Sequence, residues 1–386
     1  MSSIKTMSFL DKLLEGVEVE WKTLGEVAIF ANGKGHEKEI VVEGKYIVVN
    51  SKFISTDGKV AKYVNKQFCP LFIDDILIVM SDLPNGKALA KTFIVEQNER
   101  YTLNQRIGGI SIKNKSDLLP KFLNYFLNRC KQLTKYDNGV DQTNLQKKQI
   151  LDVQIPIPPL EIQQKIVGIL DTFTELTTEL TTELTTELTA RKQQYSYYRE
   201  KLLSFEEGEV EWKTLGEVII LQRGRRLVKS QLEVTGEYAV YQNALTPLGY
   251  YHESNVKANT TFIICAGAAG EIGFSDVDYW AADDVHSFIT PDFINSRYLF
   301  HFLQTQKNKI SSQVRRASIP RLSKNVLEKL LFPIPSLEEQ ERIVSILDKF
   351  DVLTTSISEG LPKEIELRQK QYEYYRNQLL SFSASR

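Results

Sequence analysis

The chain contains little cysteine and little histidine. Its three cysteines, Cys69, Cys130 and Cys265, are far apart among 386 residues and no CxxC pair occurs, which argues against a disulfide framework or a zinc ribbon. The four histidines show no metal-ligand spacing. The isolated cysteines favour a reduced, intracellular protein, which we expect in the cytoplasm.

Long apolar runs and an excess of one charge are also absent. No run approaches the length that spans a bilayer, so we expect no membrane partner. Met1–Lys5 lacks the apolar core of a secretory leader. The formal net charge is −1, so the total charge does not indicate a partner.

Motifs of common enzyme chemistry are missing as well. The segment Ala266–Gly270 is not followed by the Gly-Lys-Ser/Thr of a nucleotide-binding loop, which favours a tight turn. Asp283, Asp284 and His286 form the most suggestive polar group, but one histidine beside two carboxylates more often has a structural role than a metal-binding one. We therefore expect no catalytic residue, no metal site and no cofactor in this chain.

A ten-residue string, EVEWKTLGEV, occurs twice. It spans Glu18–Val27 and returns unchanged at Glu209–Val218. The similarity resumes later in two further pairs of segments, 155–161 with 332–338 and 191–205 with 368–382. Two similar frames thus hold two dissimilar inserts, which indicates a scaffold with two different recognition surfaces rather than an enzyme with one cleft.

The inserts predict two α/β domains. In the first insert, residues 22–157, β-rich runs such as Tyr46–Val49 alternate with turn signals, and a helix is expected near 120–131. The second insert, 213–334, repeats this plan with a helix near 296–306. Each insert is long enough for its own core.

The segments after the inserts predict two long helices. Residues 159–205 contain apolar positions at helical spacing, which predicts a rod of roughly 70 Å. The counterpart, 336–382, has a matched length, and Gly360 and Pro362 should kink or interrupt it. We expect the two rods to pack antiparallel as a coiled coil.

A Thr-Thr-Glu-Leu repeat lies within the first rod. Since four residues turn a helix by about 400°, each repeat leucine is displaced by about 40° from the last. A low-complexity helix without further role is one interpretation, and a ruler between two domains is the other, which the position between copied frames favours. The repeat leucines are Leu176, Leu180, Leu184 and Leu188.

Charges segregate along the chain although they nearly cancel. Between Gln304 and Leu327 six residues are basic and none is acidic, and the segment Arg223–Lys229 is also free of acids. Basic inserts suit contact with phosphate. Polar residues beside the predicted strands could read bases, since Asn and Gln match adenine and Arg matches guanine, although loop asparagines are ordinarily turn formers. The candidate DNA-binding residues are Asn50, Lys52, Asn85, Lys87, Asn104, Gln105, Arg106, Gln142, Arg223, Arg225, Arg226, Tyr241, Gln242, Asn243, Arg315 and Arg316.

The copied motifs resemble those of the specificity subunit of type I restriction–modification systems. They are the WKTLGEV string, the IPIPPLE stretch that leads to Gln163, its copy from Pro333 to Gln340, and the RxxQYxYYR signature at 191–199 and 368–376. The resemblance covers the whole chain. The tetrapeptide run resembles the central spacer of one subgroup.

The resemblance implies an α+β fold with a pseudo-twofold internal repeat. Two α/β target-recognition domains are expected, separated by two long antiparallel helices that form a coiled coil. The expected domains are an N-terminal helical segment that completes the circular frame (1–21), target-recognition domain 1 (22–157), a central helical spacer with TTEL repeats (158–208), target-recognition domain 2 (209–334) and a C-terminal helical spacer (335–386).

The resemblance also implies a function in DNA recognition without catalysis. Each domain would read one half of a split, asymmetric site in double-stranded DNA, and the helices would set the gap and bind two modification subunits. Those partners carry S-adenosylmethionine and methylate adenine, and restriction subunits that use ATP and Mg²⁺ can join them. The candidate spacer and partner-binding residues are Leu176, Leu180, Leu184, Leu188, Tyr195, Tyr198, Arg199, Tyr372, Tyr375 and Arg376.

Two other interpretations stay open at this point. One is a single-chain DNA endonuclease, for which we find no acidic metal-binding cluster in the sequence. The other is a coiled-coil adaptor that never contacts nucleic acid, which leaves the segregated basic clusters unexplained.

Overall fold

The computed structural model describes residues 9–84, 86–206, 208–316, 318–356 and 359–382. The chain divides into two units, which consist of Met1–Leu180 with Arg368–Arg386 (unit 1) and of Thr181–Leu367 (unit 2). Within the described ranges, no helix is both long and apolar enough to cross a membrane.

The helices and strands follow one another in two similar series. The first series is α1 (Phe9–Leu13), β1 (Glu20–Thr23), α2 (Leu24–Val27), β2 (Ala28–Asn32), β3 (Tyr46–Val49), α3 (Ser51–Ser55), β4 (Tyr63–Val64), β5 (Ile76–Val79), β6 (Ser81–Asp82), β7 (Thr92–Ile94), β8 (Tyr101–Leu103), β9 (Ile107–Ile112), α4 (Pro120–Leu127), α5 (Lys131–Thr134), β10 (Thr143–Asn144), α6 (Lys147–Leu151), β11 (Gln154–Ile157) and α7 (Leu160–Leu202). The second series is β12 (Glu211–Thr214), α8 (Leu215–Val218), β13 (Ile220–Arg223), β14 (Tyr238–Tyr241), β15 (Gly249–Tyr251), β16 (Thr260–Ile264), β17 (Ile272–Ser275), β18 (Tyr279–Ala281), β19 (Val285–Ile289), α9 (Ser296–Thr305), α10 (Lys307–Ser312), α11 (Lys324–Glu328), β20 (Leu331–Ile334), α12 (Leu337–Thr355) and α13 (Gly360–Leu379).

Both units contain the same two main sheets. A four-stranded antiparallel sheet has the order β2-β9-β5-β7 in unit 1 and β13-β19-β16-β17 in unit 2. A three-stranded sheet has the order β4-β3-β8 in unit 1 and β15-β14-β18 in unit 2, and each includes one parallel pair. The prediction that two dissimilar inserts share one α/β plan is confirmed.

The duplicated string closes each α/β domain. It forms β1 in unit 1, where Trp21 lies opposite Pro156 of β11, and β12 in unit 2, where Trp212 lies opposite Pro333 of β20. In both units the string then turns into a short helix whose first residue, a leucine, is fully buried. In both domains the string forms the same strand pair and buries the same leucine, which accounts for its identical sequence in the two copies.

A buried glutamine anchors each long helix on its own α/β domain. Gln163, near the start of α7, accepts a hydrogen bond from the N–H of Leu119 at 2.9 Å and donates to the carbonyls of Asp117 and Pro158, both at 2.8 Å. Gln340, near the start of α12, makes the corresponding three bonds with Asn295, Phe293 and Pro335. Because the amide is fully buried and satisfied, the orientation of the helix start is fixed.

The first rod is one helix and the second is interrupted. α7 has 43 residues, whereas α12 ends at Thr355 and α13 begins at Gly360, which has φ +78°. This backbone conformation favours glycine. The predicted interruption of the second rod is confirmed.

The long helices pack on each other within each unit. In unit 1 the Phe173 ring of α7 lies 5.7 Å from the Tyr375 ring of α13, and the hydroxyl of Thr174 lies 3.0 Å from that of Tyr372. From Phe173 to Thr174 along α7, the contacted residue of α13 moves back from Tyr375 to Tyr372. The two helices are therefore antiparallel, as predicted. In unit 2 the rings of two α7 residues stack on one ring of α12, with Tyr195 and Tyr198 at 6.1 and 5.6 Å from Phe350.

The repeat leucines do not share one buried face. Leu176 and Leu180 are 48% and 41% exposed, whereas Leu184 and Leu188 are half-buried. A step of about 40° between successive leucines turns part of the series towards solvent. The assignment of these leucines to the spacer and to partner binding stays a prediction.

Candidate nucleic-acid interface

Several strands of the four-stranded sheet end or begin along one side, which we call its edge. This edge has the same backbone hydrogen bonds in both units. Three backbone N–H groups donate to corresponding carbonyls. In unit 1 they join Gly33 to Ile107, Met80 to Arg106 and Leu145 to Met80, and in unit 2 they join Gly224 to Val285, Cys265 to Asp284 and Leu322 to Cys265. The hydrogen bonds therefore align the two units residue by residue, although their sequences differ.

A glycine occupies the tightest point of this edge in both units. A Cβ at Gly33 would overlap the carbonyl oxygen of Asn104, and a Cβ at Gly224 would overlap that of Ala282. Only glycine permits this approach of two backbones. The same steric requirement thus holds the same edge in both units.

Six aligned positions of this edge form what we call a rim in each unit. The first rim is Asn32, Gln105, Arg106, Gly108, Asn144 and Lys147. The second rim is Arg223, Asp283, Asp284, His286, Arg321 and Lys324. Amides predominate in the first rim, whereas arginine, carboxylate and imidazole groups predominate in the second. One backbone frame therefore presents two different sets of hydrogen-bonding groups.

The second rim lines a cleft of about 380 Å³. The Arg223 side chain is exposed, and its Nε donates to the Asp283 carbonyl at 3.1 Å. His286 is only 8% exposed, and neither its Nδ1 nor Oδ1 of Asp283 has a hydrogen-bond partner within the described part of the chain. Buried polar atoms without partners are costly. The cleft therefore contains unmet hydrogen-bonding capacity on its floor and cationic groups at its margin.

Electrostatics differ between the groups on the floor of this cleft. Burial raises the pKa of Asp284 and the neighbouring Asp283 carboxylate adds to the effect, while Arg321 and Arg223 oppose it. Burial lowers the pKa of His286, and the positive charges of Arg223 and Lys324 lower it further. The imidazole is therefore held neutral and can either donate or accept a hydrogen bond.

Several residues predicted to read bases in unit 1 have structural partners. Asn50 caps α3 and accepts a hydrogen bond from the N–H of Phe53 at 2.9 Å. Asn104 is buried, and its Oδ1 lies 3.3 Å from Nδ1 of His36. The Nε2 of Gln105 donates to Glu37 at 3.0 Å and that of Gln142 donates to Ser81 at 2.8 Å, although both side chains are exposed.

The remaining candidates of unit 1 are basic and exposed. Lys52, Lys87 and Arg106 all reach solvent, and Arg106 also has a left-handed backbone with φ +67°. Of these three, only Arg106 belongs to the first rim. Asn85 lies outside the described residues.

The candidates of unit 2 divide into surface and core residues. Five arginines are exposed: Arg223, Arg225, Arg226, Arg315 and Arg316. Tyr241 is half-buried, with its ring 4.9 Å from that of Phe262. Gln242 is half-buried and Asn243 is exposed, and the Asn243 carbonyl accepts from Ala268. Of all these, Arg223 alone lies in the second rim.

Most aromatic and basic candidates on the helices pack within their own unit. In unit 2 the Tyr195 hydroxyl lies 3.3 Å from Nδ1 of His301, and the Arg199 guanidinium lies over the Tyr195 ring at 5.1 Å. In unit 1 Arg376 donates to the carbonyls of Tyr125 and Asn128. The exposed tyrosine among the candidates is Tyr375, at 42%.

Sequence reasoning missed a pair of corresponding carboxylates on the long helices. Asp171 accepts hydrogen bonds from Lys121 and Tyr125 of α4, both at 2.8 Å. Asp348 corresponds to it in unit 2 and contacts Arg297 and His301 of α9, both at 2.7 Å. The signal was present, since the two aspartates follow Gln163 and Gln340 at the same spacing. The rim residues Asn32 and Asn144 were also missed, because they are the last residues of short strands that carry no motif.

The described ranges contain no group of three His, Cys, Asp or Glu residues that is placed to hold a metal ion. The three cysteines are free, and burial raises the pKa of Cys265 to about 12, so its thiol stays protonated. The chemistry that the rims offer is hydrogen bonding and charge.

Two copies of one α/β domain with unlike rims, each attached to long helices, define a protein with two separate recognition surfaces. The chain belongs to the family described as type I restriction modification DNA specificity domain, whose family model matches residues 16–190 and 207–367.

Curated relatives agree with this assignment, and solved structures share the fold. A type I restriction enzyme specificity subunit of Escherichia coli is 32% identical, covering 97% of each chain, and the EcoprrI specificity subunit, also from E. coli, is 31% identical, covering 92% of each. The fold is similar to that of a chain from a structure concerned with complex assembly of the type I R-M system (TM-score 0.68, 16% identity, 94% of this chain and 97% of that chain). It is also similar to an S subunit from M. genitalium (TM-score 0.54, 18% identity, 95% and 97%).

Proposed function

We propose that this chain is the DNA sequence-recognition subunit of a type I restriction–modification complex. Each α/β domain reads one half of a bipartite, asymmetric site in double-stranded DNA. The chain supplies recognition and carries out no catalysis itself.

The observation that carries this proposal is the pair of unlike rims on one repeated frame. Backbone hydrogen bonds align the rims, yet the six positions differ in hydrogen-bonding chemistry. Base edges are distinguished by their patterns of donors and acceptors. Two unlike sets of side chains on equivalent frames therefore suit two unlike half-sites.

The proposed partners follow from membership of the family. Two modification subunits dock on the helices and methylate adenine with S-adenosylmethionine, and restriction subunits that use ATP and Mg²⁺ can join them. These cofactors belong to the partners. The complex acts in the cytoplasm.

The division of labour along the chain is also part of the proposal. Residues 22–157 and 209–334 are the two target-recognition domains, while 1–21, 158–208 and 335–386 form the helical frame. The Thr-Thr-Glu-Leu run in α7 acts as the spacer that sets the gap between half-sites. The two alternatives, a single-chain endonuclease and a coiled-coil adaptor, find no support among the relatives, which are specificity subunits by name.

A gel-shift experiment with the full chain and its modification partner tests the proposal. We expect binding to a duplex that carries the sequence which the complex methylates. The affinity should fall steeply as the salt concentration increases, because phosphate contacts release counterions. Duplexes of scrambled sequence should bind weakly. Equal binding to both duplexes, or cleavage of DNA by the chain with Mg²⁺ alone, would contradict it.

A further inference from the structure

We propose that the second rim selects a G·C base pair, with Arg223 reading the guanine and Asp283 reading the cytosine. The inference rests on the proposed function and deepens it. It names one base pair in the half-site of unit 2 and the side chains that specify it.

The terminal amino groups of Arg223 are available to bind a ligand. No ion pair within the described part of the chain involves this exposed side chain. Its Nε is held by the Asp283 carbonyl at 3.1 Å. This bond fixes the plane of the guanidinium and leaves the two terminal amino groups as a fork of donors. A donor fork oriented in advance loses less entropy when it binds a ligand.

The second step is the choice between bases. Guanine presents two adjacent acceptors, O6 and N7, in the major groove, and these match a two-donor fork. Adenine places the N6 donor beside its N7 acceptor, so the same fork would oppose one donor with another. The Arg223 fork therefore favours guanine.

The third step is the Asp283 carboxylate, which lines the same cleft as the fork. Asp283 has an Oδ1 without a partner among the described residues, and it lines the same cleft as Arg223. Cytosine presents an N4 amino donor in the major groove, and a carboxylate accepts from it. A phosphate would instead be repelled by Asp283 and Asp284. The cleft thus suits the edge of a base pair rather than the DNA backbone.

The first rim supplies the internal comparison. The position that corresponds to Arg223 is Asn32, and the one that corresponds to Asp283 is Gln105. Neither residue offers a guanidinium fork or a carboxylate, so a G·C pair is not selected in the same way at this rim. A change at Arg223 should therefore alter one half-site and leave the other unchanged.

The test combines Arg223→Met with a modified duplex. The complex with the modification partner is bound to DNA in which each guanine of the two half-sites is replaced in turn by 7-deazaguanine, which lacks the N7 acceptor but still pairs with cytosine. For the wild type we expect one position, in one half-site, where the affinity falls roughly 5- to 150-fold. Arg223→Met keeps much of the side-chain length but has no donor for the guanine acceptors, so it should bind both duplexes equally. Arg100→Met is the matched control, because Arg100 is exposed and lies outside both rims, and it should keep the wild-type sensitivity.

Several outcomes overturn the inference. The wild type could be insensitive to 7-deazaguanine at every guanine, or the half-site of unit 2 could contain no G·C pair. Arg223→Met could also retain the full sensitivity. If the variant fails to assemble with the partner, the wild-type series alone still decides. Failure of the proposed function looks different, because the wild type would then show no preference for any DNA sequence.

Discussion

Gln163 and Gln340 make the same three hydrogen bonds in the two copies of the frame, each with one backbone N–H and two carbonyls of its own unit. Both side chains are fully buried. The frame therefore repeats in its hydrogen bonds as well as in its sequence, and it attaches each long helix to an α/β domain in a defined orientation.

Substitution of a buried glutamine should destabilise its unit. Gln163→Leu leaves one N–H and two carbonyls without a partner, and we expect a loss of about 2–4 kcal/mol in the free energy of unfolding. The neighbouring Gln164 is exposed, so Gln164→Leu is the matched control and should change stability by less than about 0.5 kcal/mol. Urea denaturation measures both, and equal effects would contradict the role given to Gln163.

His301, which is fully buried in unit 2, should make stability depend on pH. Burial lowers the pKa of His301 from its ordinary 6.5, and Arg297 lowers it further, although Asp348 and Asp351 oppose the shift. As the pH falls below 6.5 the unfolded chain therefore takes up a proton before the folded one, and stability decreases. Above that pH the contribution is complete. His301→Gln should flatten this part of the profile of unfolding free energy against pH.

His252 provides a control, because its pKa is shifted in the opposite direction to that of His301. Its hydrogen bond with Glu233 raises its pKa, so its contribution is present at low pH and is lost as the pH rises through the raised value. The side chain is exposed, so the effect should be small. A steeper fall in stability at low pH for His301→Gln than for the wild type would overturn the assignment.

The glycines at the tightest point of the sheet edge, Gly33 and Gly224, should tolerate no side chain. Gly33→Ala and Gly224→Ala each place a Cβ against a carbonyl oxygen of the facing backbone, and we expect destabilisation of about 1–3 kcal/mol. Gly168 is the control, since it lies exposed in α7 with open space around its Cβ position. Gly168→Ala should stabilise the chain by about 0.5–1 kcal/mol. Thermal unfolding of the three variants decides the matter.

Deletion of one Thr-Thr-Glu-Leu unit should alter the gap between half-sites. Four residues correspond to about 6 Å of helix and leave a rotation of about 40°. We therefore expect a different number of base pairs between two unchanged half-sites, measured by mapping methylated adenines. Altered half-site bases with an unaltered gap would show that the repeat has another role.

The frame could be predicted from the sequence because it is local and repeated. Helical spacing predicted α7, and Gly360 predicted the break in the second rod. The start of α12 is also local, since the Ser336 hydroxyl accepts a hydrogen bond from the N–H of Glu339 at 3.3 Å. Duplicated letters showed that two domains share one plan. These features depend on neighbouring residues, which a single sequence shows directly.

The rims could not be predicted because they depend on long-range strand register. Asn32 and Gly108 lie opposite each other only once β2 pairs with β9, and the unlike inserts offer no similarity from which to align them. Asn50 and Asn104 are of a residue type that can read bases. In the fold, however, Asn50 caps a helix and Asn104 lies beside the buried His36. Residue type alone did not separate these roles.

Sequencing of methylated DNA from cells that express this chain with its modification partner tests the two-surface account most directly. The account predicts methylated adenines within one bipartite motif, with two different half-sites and a gap of fixed length. A continuous motif, a palindrome with identical halves, or methylation without any motif would contradict it.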